Sequence, residues 1–121
     1  MADVTNFEDV PLPADKVPDR DFDHARTPNA PRDSSAAAII CSALLELRGY
    51  AATDLAADYT AFAEAQLRSL CSPAYLAEPG TNGGFLLKHA SGNHPKTREI
   101  DTPINYTDYY FLEALLRARK L

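Results

Sequence analysis

The sequence predicts an all-α fold whose helices are too apolar to shield one another. Three observations carry this. The stretch from Arg32 to Leu47 is apolar nearly all round, with only Ser42 and Glu46 polar between Ala36 and Leu47. A second run, from about Asp54 to Leu70, repeats apolar residues at helical spacing after a connection of only Gly49 to Ala52. A third, from about Thr107 to Arg119, carries Tyr109, Tyr110, Phe111, Leu112, Leu115 and Leu116 around most of its axis. A helix that is apolar on several sides has to be covered on several sides. Two such helices and one amphipathic companion do not suffice, so the chain is expected to be a fragment of a larger helical toroid or an obligate oligomer.

Composition sets the outer limits. A chain of 121 residues makes one domain at most. A net charge of −5 argues against nucleic acid as a partner, because phosphate binding needs a basic surface. No apolar run approaches the length of a membrane span. Met1 to Val10 lacks the basic-then-apolar pattern of a secretory signal, which predicts a cytoplasmic protein. Cys41 and Cys71 make no metal pattern and are expected to be buried free thiols.

Residues 1–31 differ from the rest. They hold Pro11, Pro13, Pro18, Pro28 and Pro31 of the nine prolines, with dense charge and no lasting period. Two readings stand side by side: a solvated tail, or an irregular loop lying over a helical body with Val17 and Phe22 as anchors. Residues 32–121 form the helical part. In the first helix, Asp33, Ser34 and Ser35 offer capping oxygens, the alanine run favours helix, and Gly49 marks a stop. The second helix takes its cap from Thr53 or Asp54. Its stripe of Leu55, Tyr59, Phe62, Ala63, Leu67 and Leu70 faces inward, with Asp58, Glu64 and Arg68 largely off it. The short connection predicts an antiparallel hairpin, an inner helix backed by an outer one.

Ser72-Pro73 ends the second helix. Ala74 to Leu76 suits a single turn and Glu78 to Gly84 a loop. Phe85, Leu86 and Leu87 read as a short strand. Lys88 to Thr102 is polar and rich in turn residues, and Glu99 to Pro103 leads into the third helix. That helix reads as a second buried one, with Tyr109 and Tyr110 in the core. Arg117, Arg119 and Lys120 sit at its end, where positive charge suits the helix dipole.

Three segments resemble the C-terminal part of unsaturated glucuronyl hydrolases, glycoside hydrolase family 88. The first is Asp21-Phe22-Asp23 followed by Pro31-Arg32-Asp33-Ser34-Ser35 and the alanines to Ile39. The second is Phe85-Leu86-Leu87-Lys88-His89 with Gly92-Asn93 and Pro95-Lys96. The third is Glu99-Ile100-Asp101 with Tyr106 to Arg117. Order and spacing agree across roughly Val10 to Lys120. The resemblance implies an (α/α)6 barrel of six helical hairpins, of which this chain supplies the last quarter or third. It implies hydration of the vinyl ether of a 4,5-unsaturated uronic acid at the end of a lyase-generated oligosaccharide, without a cofactor. The two principal catalytic aspartates of the family precede the part this chain resembles. No catalytic residue is therefore assigned, and the chain alone is expected to be inactive.

The resemblance also implies sugar contacts. Ser91, His94 and Lys96 match a family loop, Ser-x-x-Ser-x-Lys, that touches the second sugar or its sulfate; His94 departs from the second serine. Asp21 and Asp23 match an Asp-Phe-Asp near the barrel mouth, but Asp19-Arg20 replaces the aromatic pair often found before it. From the residues alone, Asp33 reads as a cap or a partner of Arg32, and His89 as a structural histidine. Glu99 and Asp101 would share one face of an extended strand, though helix entry is the simpler role for Asp101. His24 has no partner that sequence can name. Two other readings are a non-catalytic helical module that binds itself or another barrel, and part of an unsaturated rhamnogalacturonyl hydrolase.

Overall fold

A computed structural model describes residues 12–19, 32–92 and 101–121. Among them are three α-helices: α1 (Ser34–Leu47), α2 (Thr53–Leu70) and α3 (Asn105–Ala118), with a 3-10 turn at Asn82–Gly84. α1 starts where the Asp33 carboxylate accepts the Ser35 N–H at 3.1 Å, as a cap should. α2 begins one residue earlier than expected. Thr53 is already helical and Ala52 caps without a side-chain bond, so neither Thr53 nor Asp54 is the cap. Asp54 instead places its charge in the first turn, where the helix dipole favours it.

The helices pack with α1 in the middle. Ala37 and Ala38 share a core with Leu70, Val17, Tyr75, Leu87 and Phe111. Further along, Cys41, Leu44 and Leu45 meet Ala63 and Ala114. Early α1 therefore meets late α2, and the pair is antiparallel. Moving along α1 from Ala37 to Cys41 and Leu44 moves the α3 contact from Phe111 to Ala114, so those two run parallel. α3 lies along α1 and barely touches α2. Polar bonds fix the α1–α3 register: the buried Ser42 hydroxyl donates to Glu113 Oε1 at 2.6 Å, and Arg117 Nη1 donates to Ser42 O at 2.8 Å. Arg117 also pairs with Glu46.

Several expectations change here. Phe85 to Leu87 form no strand; they contribute one isolated bridge, Leu76 to Leu87. The N–H groups of Leu86 and Leu87 turn to the Asp108 carboxylate at 2.8 and 3.1 Å, which takes them out of any ladder. Leu55 is exposed, whereas Gln66, off the expected stripe, is fully buried and donates to Lys16 O at 3.1 Å. Cys41 is buried but Cys71 is exposed, and both are free. Burial pushes the Cys41 thiol up to about 12, with a smaller contribution from Cys71.

α3 is covered on one side only. Thr107, Phe111 and Ala114 are buried, and the last two pack with residues of α1. Tyr109, Leu112 and Leu116, at spacings of three and four, form an open stripe opposite, 49–61% exposed. Tyr109 is thus outside the core, while Tyr110 packs against it. α1 likewise has an open apolar line through Ile39, Ala43 and Leu47. Val17 is fully buried, so residues 12–19 lie over the hairpin as an anchored strap. Phe22, the other expected anchor, falls outside the described residues, as do His24 and Glu99.

Candidate functional site

Described residues from the three resembling segments, among them Ser34, Lys88, His89 and Asp101, meet at the N-terminal end of α1. The Ser34 N–H donates to His89 O at 2.9 Å, and the Ser34 hydroxyl to Lys88 O at 2.7 Å. The first free amide of the helix is thereby satisfied by the chain after residue 87. Ser91 closes the joint from the other side: its N–H donates to Asp33 Oδ1 at 3.2 Å and its hydroxyl to Arg32 O at 3.3 Å. Ala90 and Thr102 exchange both backbone bonds, at 3.1 and 2.9 Å, and so form the neck of the segment between them.

Arg32 ties in the strap. Its guanidinium donates to Asp15 Oδ1 at 2.8 Å and to Val17 O at 2.9 Å, and its Nε sits 3.3 Å from Asp19. Asp19 itself is buried and bridges back to Arg32. Asp19 thus forms an internal ion pair with Arg32. Asp15 also receives the Tyr75 hydroxyl at 2.6 Å. Burial pushes the Asp15 carboxyl up, but bonds from Tyr75, the Val17 N–H and Arg32 outweigh it and hold the group below its ordinary value of 3.8. Burial and the neighbouring Asp15 charge push the Tyr75 phenol upward. Asp33 acts as a cap, as expected, but Arg32 pairs with Asp15 and Asp19 instead of with it.

His89 and Asp101 meet across the neck, Nδ1 to Oδ1 at 2.5 Å. Both are non-glycine residues in the left-handed region, at φ of 64° and 51°. Asp101 is therefore not part of an extended strand. The Tyr75 and His89 rings pack nearly perpendicular to each other, with centroids 6.0 Å apart. Nothing in the sequence announced this pair, because its members lie twelve residues apart in a polar stretch.

Of the sequence-predicted sugar contacts, Ser91 is described: it is 9% exposed and its hydroxyl proton is directed to Arg32 O. His94, Lys96, Asp21 and Asp23 lie outside the described residues. The described residues that flank both stretches, Asp19–Arg32 and Ala90–Thr102, are joined through the bonds of Ser91 to Arg32 and Asp33. The carboxylates gathered at this end (Asp15, Asp19, Asp33 and Asp101) each hold a structural partner. No group of three His, Cys, Asp or Glu among the described residues could hold a metal. No described helix is long and apolar enough to cross a membrane.

No protein-family profile matches the chain. A protein named unsaturated glucuronyl hydrolase from Formosa agariphila is 51% identical over 110 residues, which is 91% of this chain and 27% of that protein. The crystal structure of an unsaturated glucuronyl hydrolase specific for heparin superposes at a TM-score of 0.87 with 45% identity, covering 98% of this chain and 32% of that one. A mutant of the Streptococcus agalactiae enzyme in complex with dGlcA-GalNAc6S superposes at 0.80 with 31% identity, covering 88% of this chain and 29% of that one. The chain thus spans about a third or less of the relatives it matches.

Proposed function

We propose that this chain, which corresponds in sequence and fold to part of an unsaturated glucuronyl hydrolase, supplies the C-terminal hairpins and a sugar-facing loop of an (α/α)6 glycosidase barrel. The whole barrel removes a 4,5-unsaturated uronic acid from the end of an oligosaccharide. A carboxylic acid protonates the vinyl ether, water adds, and the hemiketal that results falls apart. An acid and its substrate atom must come within hydrogen-bond reach. The acid in this reading comes from the hairpins that precede this part of the barrel.

The observation that carries the reading is the open geometry of α1 and α3. They run parallel with α2 returning on the outside, and each keeps an apolar stripe uncovered. That is the repeating unit of an α/α barrel, in which each inner helix has an inner neighbour on both sides. Here α1 has one such neighbour, α3, and α3 has α1. The match at 45% identity to part of a heparin-specific enzyme supports the same placement.

Within the site, Ser91 anchors its loop to α1. His94 and Lys96 supply the donors, an imidazole N–H and an ammonium, both of which suit a sulfate or a sugar oxygen. Asp21 and Asp23 enter this reading as sugar contacts through the family resemblance. A cytoplasmic site of action is part of this reading and is supported by two cysteines left as free thiols.

The test follows the loss of the ultraviolet absorbance of the unsaturated uronate. The chain alone is expected to give no turnover. Joined to the preceding hairpins of the Formosa agariphila relative, it should cleave an unsaturated glucuronyl disaccharide and spare an unsaturated rhamnogalacturonyl one. Turnover by the chain alone, or none by the completed barrel, would overturn the proposal.

A further inference from the structure

We infer that the open face of α3 is a pairing surface for a second copy of this chain, and that two copies join through antiparallel α3 helices around a twofold axis beside Leu112. The inference concerns the 121-residue chain by itself and does not rest on the barrel reading.

The apolar part of this face is close to a palindrome. Tyr109, Leu112 and Leu116 share one strip of the helix, about 60° wide at 3.6 residues per turn. An antiparallel neighbour centred between positions 112 and 113 sets Tyr109 of each copy against Leu116 of the other. It also sets Leu112 against Leu112 at the axis. The same patch thus meets itself, as a twofold contact requires.

The charges agree with this direction. Asp108, in the first turn, and Arg119, at the C-cap, are eleven residues apart, which is about three turns, so they flank the strip on the same edge. A parallel neighbour would oppose like charges. An antiparallel one brings Asp108 of each copy to Arg119 of the other. Arg119 is exposed and makes no ion pair among the described residues. Asp108 accepts the N–H groups of Leu86 and Leu87, and an ionised carboxylate has room for further donors. On the other edge the two copies of Glu113 approach the axis, but each is turned to Ser42 and Arg117 of its own copy, at 2.6 and 3.3 Å. The open line of α1 offers no such match. Ala43 interrupts it, and Glu46, the charge beside it, is already held by Arg117. One helix against one helix falls at the small end of interfaces, below about 1,200 Å2 in total, so the pairing is reversible.

Cross-linking reads the register. A Cys71→Ser background leaves only the buried Cys41. In it, mild oxidation of Leu112→Cys should give a covalent dimer, because position 112 meets itself at the axis. Tyr109→Cys alone and Leu116→Cys alone should give little, since each lies about 10 Å along the helix from its own symmetry mate. An equal mixture of the two should cross-link. In sedimentation equilibrium the wild-type chain should pass from monomer to dimer as concentration rises. Arg119→Ala should raise the dissociation constant about two- to fivefold, the weight of an exposed ion pair, with helix content unchanged by circular dichroism. A monomer at every concentration overturns the inference, as does assembly that runs on past the dimer. So does a dimer in which Leu112→Cys fails to cross-link, or in which Tyr109→Cys alone links as readily as the mixture.

Discussion

Arg32 joins three stretches of chain that are far apart in sequence, and its loss should be felt in all of them. Arg32→Ala leaves the buried Asp19 without its cation and Asp15 without one of its donors. A cost of about 1.5–3 kcal/mol is expected from bonds to charged groups, measured as a shift in the urea midpoint. Asp15 adds a pH dependence of known sign. Its folded-state value lies below the ordinary 3.8, so its contribution is complete above that pH and is lost as pH falls through the folded-state value. Asp15→Asn should flatten this acid limb of the stability curve, read by thermal melting across pH. The thiols should also differ: a thiol reagent labels the exposed Cys71 in the native chain and reaches the buried Cys41 after unfolding. Local chemistry was legible at this scale. Asp33 as a cap depends on its neighbours two residues on. The partners of Arg32 lie 13 to 17 residues away across a stretch without periodicity, and no spacing rule could name them.

The three helices were legible because their apolar residues repeat at 3.6, and their ends agree with expectation to within about two residues. The short apolar run Phe85 to Leu87 was misread as a strand for the opposite reason. Three apolar residues hold too little period to distinguish a strand from a tether, and the deciding partner is Asp108, in the first turn of α3. Asp108→Ala removes both acceptor contacts and should cost about 1–3 kcal/mol. Amide exchange at Leu86 and Leu87 should rise more than in the helices. The buried Gln66 escaped the helical stripe because its partner is the strap carbonyl at Lys16, which a pattern within one helix cannot reveal.

For the whole molecule, the sequence showed that the helices were over-supplied with apolar surface but not which sides would stay open. Packing around α1 decides that. The α1–α2 and α1–α3 contacts use two of its sides and leave Ile39, Ala43 and Leu47 on the third, with Tyr109, Leu112 and Leu116 on the far side of α3. The sugar-contact residues inferred by resemblance were less accessible to this reasoning. Of them, the described structure includes Ser91 alone, held to α1. If the open stripe of α3 is a barrel interface, Leu116→Ser should change the stability of the isolated chain by no more than about 0.5 kcal/mol, as exposed substitutions do. The same change should impair turnover once the remaining hairpins are supplied. Sedimentation velocity of the 121-residue chain over a range of concentrations tests the barrel assignment most directly. Self-association that deepens with concentration and is relieved by Leu112→Ser with Leu116→Ser is expected; a compact monomer at every concentration would contradict it.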